Sequence, residues 1–228
     1  MELPTKKLES SWSRALTWIK ANQWALAEGE CLRLWQLAGK QVPGVELADA
    51  LGYVLLMQAD FQRCEKVLML VVDHPQSSFW VSHKLGDAWR GLHSNEKAIL
   101  WYQRSIKDGS TSPLTYRNLL LAIAKLERRS HAIEMLEQWH ALEEPTGPWL
   151  EGTRQAAEIL TETWLLDWLQ TRGLATAEQI LKLARKAAYK LDLNTCLMLL
   201  AQARKNPQAK LLSERLGKLY REDSISRS

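Results

Sequence analysis

The stretch Leu85-Gly86-Asp87-Ala88-Trp89, followed by Ala98, Tyr102 and Ser105, decides how this chain is read. Thirty-four residues upstream, the same slots hold Leu51-Gly52-x-x-Leu55, then Cys64, Leu68 and Val71. Thirty-four residues downstream they hold Leu119-Leu120-x-x-Ile123, then Ala132, Leu136 and Trp139. Pro75 and Pro145 close the outer units, and Pro113 falls just past the middle one. Leucine, small residue and large apolar residue at offsets 0, 1 and 4 share one face of a helix. The small residue lets a second helix approach, and the slot of Cys64, Ala98 and Ala132 does the same from the other side. Asp60-Phe61 and Ser94-Asn95 supply turn chemistry between the two helices. One such hairpin cannot bury its own apolar face, so neighbouring hairpins must stack.

With these residues in place, the sequence resembles the tetratricopeptide repeat (TPR) family, whose pattern runs from Leu-Gly-x-x-aromatic through a second-helix Ala to a closing Pro. Residues 45–146 carry three phased units, with Leu120 departing from the small residue and Cys64 from the alanine. The resemblance implies an all-α fold, a right-handed α-solenoid of antiparallel helix pairs.

Around this block the pattern decays. Residues 1–44 read as an N-terminal helix pair, a degenerate repeat or cap, with Trp12, Leu16, Ile19, Leu34 and Leu37 apolar and a stop at Pro43-Gly44. A 34-residue step back places the motif at Thr17-Trp18. Residues 147–222 read as C-terminal helices. The first covers about 150–172, with Ala156, Ile159, Leu160, Trp164 and Leu165 apolar, and ends at Gly173. Thr176-x-x-Gln179 opens the next as a capping box. Leu183-Ala184-x-x-Ala187, Cys196, Leu200 and Ala203 fit the template loosely over that helix and a partner from Asn194 to Lys205. A last helix from Gln208 to Arg221 caps the array, and residues 223–228 are expected to be a disordered tail.

Only 11 Gly and 7 Pro in 228 residues favour helices over sandwiches or barrels, which need frequent turns. The 11 Trp read as filling between helices rather than as a ligand-stacking platform. Cys31, Cys64 and Cys196 are far apart, with no metal or disulfide spacing. The first residues lack an apolar signal core, and no run approaches the ~18 apolar residues of a membrane span. A cytoplasmic protein is expected. No phosphate loop, GxSxG, HExxH or dinucleotide fingerprint is present. The reading is a non-catalytic protein with no cofactor and no metal.

Charge is uneven: residues 174–221 hold 10 Lys/Arg against 3 acids, while residues 1–173 hold 19 against 21. Lys182, Arg185, Lys186 and Lys190 form a basic face. It reads as a solvated cap, with an acidic partner or RNA as the functional alternative.

In the family that the sequence resembles, the first helix of each repeat lines a concave groove. Carried over, the groove positions are Glu46, Asp49, Tyr53, Leu56 and Met57; then Trp80, His83, Asp87 and Arg90; then Leu114, Arg117, Asn118, Leu121 and Lys125. Apolar anchors with Arg and Lys imply an extended peptide or helix, its carboxylates clamped second. The carboxylate clamp known in some members is not matched, because Asp49 and Tyr53 occupy its first slots. His83 and Asp87, four apart, are expected to share a hydrogen bond without a paired nucleophile. The implied function is an adaptor or scaffold binding a protein or peptide partner. The resemblance also allows an accessory domain of a larger bacterial glycosyltransferase or sulfotransferase.

Overall fold

A computed structural model describes residues 5–38, 44–142, 147–160, 163–189, 193–203 and 206–215, and all regular structure among them is helical. The bounded helices are α1 (Thr5–Lys20), α2 (Trp24–Ala38), α3 (Val45–Met57), α4 (Phe61–Met69), α5 (Phe79–Gly91), α6 (Asn95–Lys107), α7 (Pro113–Lys125), α8 (Arg129–Leu142), α9 (Pro148–Ile159), α10 (Trp164–Thr171), α11 (Ala177–Tyr189) and α12 (Leu193–Gln202). Residues 207–215 are also helical. The chain divides into two compact units, Met1–Leu142 and Glu143–Ser228.

The first unit is a stack of four hairpins, α1/α2, α3/α4, α5/α6 and α7/α8, with α3, α5 and α7 in successive contact. The glycine slot does what its position implies. A Cβ built on Gly52 would meet the Leu68 side chain at 2.3 Å, and one on Gly86 would meet the Tyr102 ring at 2.5 Å. Leu68 and Tyr102 are fully buried, so neither can swing away cheaply. In the fourth hairpin Leu120 fills the same slot and Leu136 the facing one, both fully buried. There the two helices pack less closely than α5 and α6 do.

Every first helix of this unit ends the same way. Asn22, Ala59, His93 and Glu127 have φ of 56°, 59°, 59° and 57°, the left-handed region. The next residue donates its N–H five residues back: Gln23 to Trp18 O, Asp60 to Leu55 O, Ser94 to Trp89 O and Arg128 to Ile123 O. This six-to-one bond satisfies carbonyls that the helix end would leave open. None of the four residues is glycine, which is the usual occupant. Phe61 and Asn95 already belong to the second helices; Asp60 caps α4 by accepting from Arg63 N at 3.2 Å. Pro113 starts α7, where its missing N–H costs nothing.

These turns also set the phase of the first hairpin. Asn22 stands 37 residues before Ala59, whereas Ala59, His93 and Glu127 are 34 apart. The motif therefore sits at Ala15-x-x-Trp18, not at Thr17-Trp18. Ala15 occupies the glycine slot, and Ala27, Cys31 and Leu34 follow it into the core. Trp12, Leu16 and Ile19 lie on another face of α1, with Leu16 exposed.

In the second unit the expected helix over 150–172 is two helices. Leu160 leaves the helical region at ψ 134° after α9, and α10 begins at Trp164. Ile159, expected in the apolar stripe, is exposed, while Trp164, Leu165, Leu166, Trp168 and Leu169 are buried. The Thr176–Gln179 capping box forms in both directions: Gln179 N donates to Thr176 Oγ1 at 3.2 Å, and Thr176 N to Gln179 Oε1 at 3.1 Å. Ala184, Cys196, Leu200 and Ala203 are buried between α11 and α12. The tail at 223–228 and the helix end at Arg221 lie outside the described residues.

Candidate functional site: an apolar groove on the first helices

A groove of about 660 Å³ runs along the first unit. Its walls come from α1 (Trp12, Leu16, Ile19), α3 (Glu46, Asp49, Ala50, Tyr53, Leu56, Met57), α5 (Trp80, His83, Lys84, Asp87) and α7 (Leu114). All of these are first helices of hairpins, because the second helices are spent on packing the stack. Leu16, Met57, Trp80 and Leu114 remain 37–46% exposed here. Large apolar residues so exposed and so gathered mark an interaction surface more often than an accident of packing.

The aromatic walls are braced. Trp80 lies 5.0 Å from Phe79 and 5.2 Å, edge-on, from His83. Tyr53 meets Trp24 edge-on at 5.9 Å, and Lys84 Nζ stands 5.7 Å over its ring. Such contacts fix ring orientation without closing the exposed faces.

Of the three carboxylates in the groove, Glu46, Asp49 and Asp87, two are held by neighbouring donors. Lys84 Nζ donates to Asp49 Oδ1 at 2.7 Å. Asp87 accepts from Tyr102 Oη at 2.6 Å, Asn118 Nδ2 at 2.9 Å and Arg90 Nη2 at 3.2 Å, and lies 3.3 Å from His83 Nε2. Burial alone pushes the Asp87 carboxyl up. The bonds from His83 and Tyr102 and the nearby Arg90 charge outweigh it, and Asp87 is held below its ordinary value. Burial, then the Asp87 charge, raise the Tyr102 phenol well above its usual range, so it stays a donor.

Among the expected groove residues, Tyr53, Met57, Trp80, His83 and Asp87 lie on this one surface. Arg90, Arg117, Asn118, Leu121 and Lys125 are not among its walls. Asn118 is buried and ties α7 to Asp87; Arg117 Nε donates to Asn118 Oδ1 at 3.1 Å; Lys125 is exposed near the end of α7. The sequence frame missed Trp12, Leu16 and Ile19, which the 37-residue offset conceals. It also passed over Lys84, whose pairing with Asp49 links two hairpins.

His83 touches Asp87 as its spacing implies, and it also has a hydroxyl neighbour that spacing could not show. Thr115 Oγ1 is 2.8 Å from His83 Nδ1, and Ser110 Oγ is 2.8 Å from Thr115 Oγ1. Thr115 is fully buried, and both ring nitrogens of His83 are engaged. This chain of groups binds α5, the α6–α7 turn and α7 together; it offers no accessible nucleophile.

The basic face of the second unit is partly committed to packing. Lys182 Nζ donates to Glu158 O at 3.1 Å and lies 3.6 Å from the Glu158 carboxylate, neutralising the end of α9. Arg185 donates to Gln208 Oε1 at 2.9 Å, and Lys186 is half-buried. Lys190 lies outside the described residues. Among the described residues, no three His, Cys, Asp or Glu side chains group as metal ligands, and no helix is long and apolar enough to cross a membrane.

No family profile and no curated protein matches the sequence. Solved structures do match the fold. MamA of AMB-1 aligns at 13% identity over 90% of this chain and 94% of its own, with a TM-score of 0.52. A tetratricopeptide repeat protein from Parabacteroides merdae ATCC 43184 aligns at 12% identity over 94% and 98%, with a TM-score of 0.54. The apo form of RapI aligns at 10% identity over 94% and 87%, with a TM-score of 0.54. Phased hairpins, glycine-slot packing and these likenesses together show that the chain has the tetratricopeptide-repeat fold.

Proposed function

We propose that this chain is a non-catalytic adaptor that holds a segment of a partner protein in the groove formed by α1, α3, α5 and α7. The observation that carries the reading is the gathering of Leu16, Met57, Trp80 and Leu114, all exposed, around one cavity. Trp80 and Tyr53 act as rigid aromatic anchors, and Met57, with its flexible thioether, adapts to the segment that lies on it. Asp87, His83 and Asn118 hold the groove helices in place rather than gripping the partner, since their polar atoms are already bonded to one another. We place the protein in the cytoplasm; its three cysteines are buried and no disulfide joins them among the described residues, which agrees with a reducing compartment.

A photo-crosslinking amino acid at Met57 tests the reading, with the same group at Leu100 as control. Leu100 is 65% exposed on α6, which contributes nothing to the groove. Crosslinking of a defined partner in cells from position 57 and not from 100 supports the groove. Equal crosslinking from both positions, or capture from 100 alone, overturns it.

A further inference from the structure

The groove says where a segment binds; the charges on its walls say what kind. We propose that the occupant is a basic amphipathic segment, an apolar face flanked by lysine or arginine, rather than a chain end held by its carboxylate. This rests on the groove reading above and narrows it.

Three carboxylates line the groove, Glu46, Asp49 and Asp87, against one ammonium, Lys84. That ammonium is already spent, at 2.7 Å from Asp49. Arg90, the cation beside Asp87, is spent on it at 3.2 Å. An incoming carboxylate would therefore have to displace a partner from an existing pair, and would meet Glu46 besides. Glu46 is exposed and has no ion-pair partner among the described residues. An incoming cation meets the reverse situation. It gains Glu46 directly and breaks no pair, and Asp49 lies one turn along the same helix face. The exposed indole of Trp80 adds a face on which lysine or arginine can stack. Apolar contact gives the affinity, and the charges select against acidic segments.

The test is selection of random peptides of about 15 residues, roughly four helical turns, displayed with free C-termini against the full chain. Trp80→Ala and Met57→Ala, both checked by circular dichroism, serve as counter-selection, since both side chains are exposed and their loss should leave the fold intact. Sequences that need both residues should carry apolar positions at three- and four-residue spacing with lysine or arginine beside them. By fluorescence anisotropy, Glu46→Lys should then weaken the best binder about tenfold, and raising salt from about 0.05 M to about 0.5 M should weaken it further. Groove-dependent sequences that are acidic, or that need a free terminal carboxylate, overturn the inference while leaving the groove standing. Binders indifferent to Trp80 and Met57, or no enrichment at all, overturn the groove reading and the inference with it.

Discussion

The third and fourth hairpins share one register and differ at one slot. In α5/α6 the slot is Gly86, and the Tyr102 ring lies directly against it; in α7/α8 it is Leu120, facing the slot of Leu136. The glycine lets α6 come close, and that approach brings the Tyr102 hydroxyl within 2.6 Å of Asp87. The leucine fills the gap with its own bulk, and the helices stand further apart. Both solutions bury the interface, but only the close one builds a polar hub under the groove. A repeat position that looks like packing alone thus decides which hairpin can brace the groove.

The sharpest way to break this comparison is to change the slot residue in each hairpin. Leu120→Gly removes a fully buried side chain and adds a helical glycine, and should cost about 3–5 kcal/mol in urea unfolding. A loss below about 1 kcal/mol would mean that α7 and α8 are not held by this contact. Gly86→Ala should cost less, about 1–2 kcal/mol net, because overpacking against Tyr102 outweighs the roughly 1 kcal/mol gain in helix propensity. The same substitution beside Tyr102→Leu should lose most of that penalty. If the alanine costs as much without the ring, the ring is not what the glycine accommodates.

The hub gives a smaller and pH-dependent effect. Tyr102→Phe should cost about 1 kcal/mol near neutral pH, since Asp87 keeps its other donors. Because folding lowers the Asp87 pKa, its contribution is complete above the unfolded value near 3.8 and fades as pH falls through the folded one. Stability of the wild type should therefore fall more steeply below about pH 4 than that of Asp87→Asn, with the two curves parallel at higher pH. Parallel curves throughout would remove Asp87 from the account.

Much of this architecture was legible in the sequence, and the limits have physical causes. The 34-residue phase could be read because Gly52, Gly86 and their leucine neighbours sit where helices touch, and touching constrains residue type. The groove's α3 and α5 walls followed from that phase. The α1 wall did not, because three additional residues shift the first hairpin, and Ala15 is too ordinary to announce the slot. Arg90, Arg117 and Lys125 stand outside the walls of this cavity for another reason. A frame gives the face of a helix but not how far the cavity extends along it, nor whether a cation is already paired.

The turns were the least visible feature, and they yield the smallest prediction. Asn22 is a usual left-handed residue, but Ala59, His93 and Glu127 carry side chains that disfavour their own φ. The geometry holds because each turn returns two backbone N–H bonds to the preceding helix, as His93 does to Arg90 O and Ser94 to Trp89 O. These residues are therefore kept in place by the hairpin, not by local preference. Replacing His93 or Ala59 with glycine removes the steric cost, and the greater freedom of the unfolded glycine offsets part of the gain. Each variant should gain about 0.5–1 kcal/mol in thermal unfolding. Glu127→Gly should gain a similar amount, despite the looser packing of its hairpin, because the strain is local to the turn. A loss in all three would show that these turns do not hold the left-handed conformation in solution.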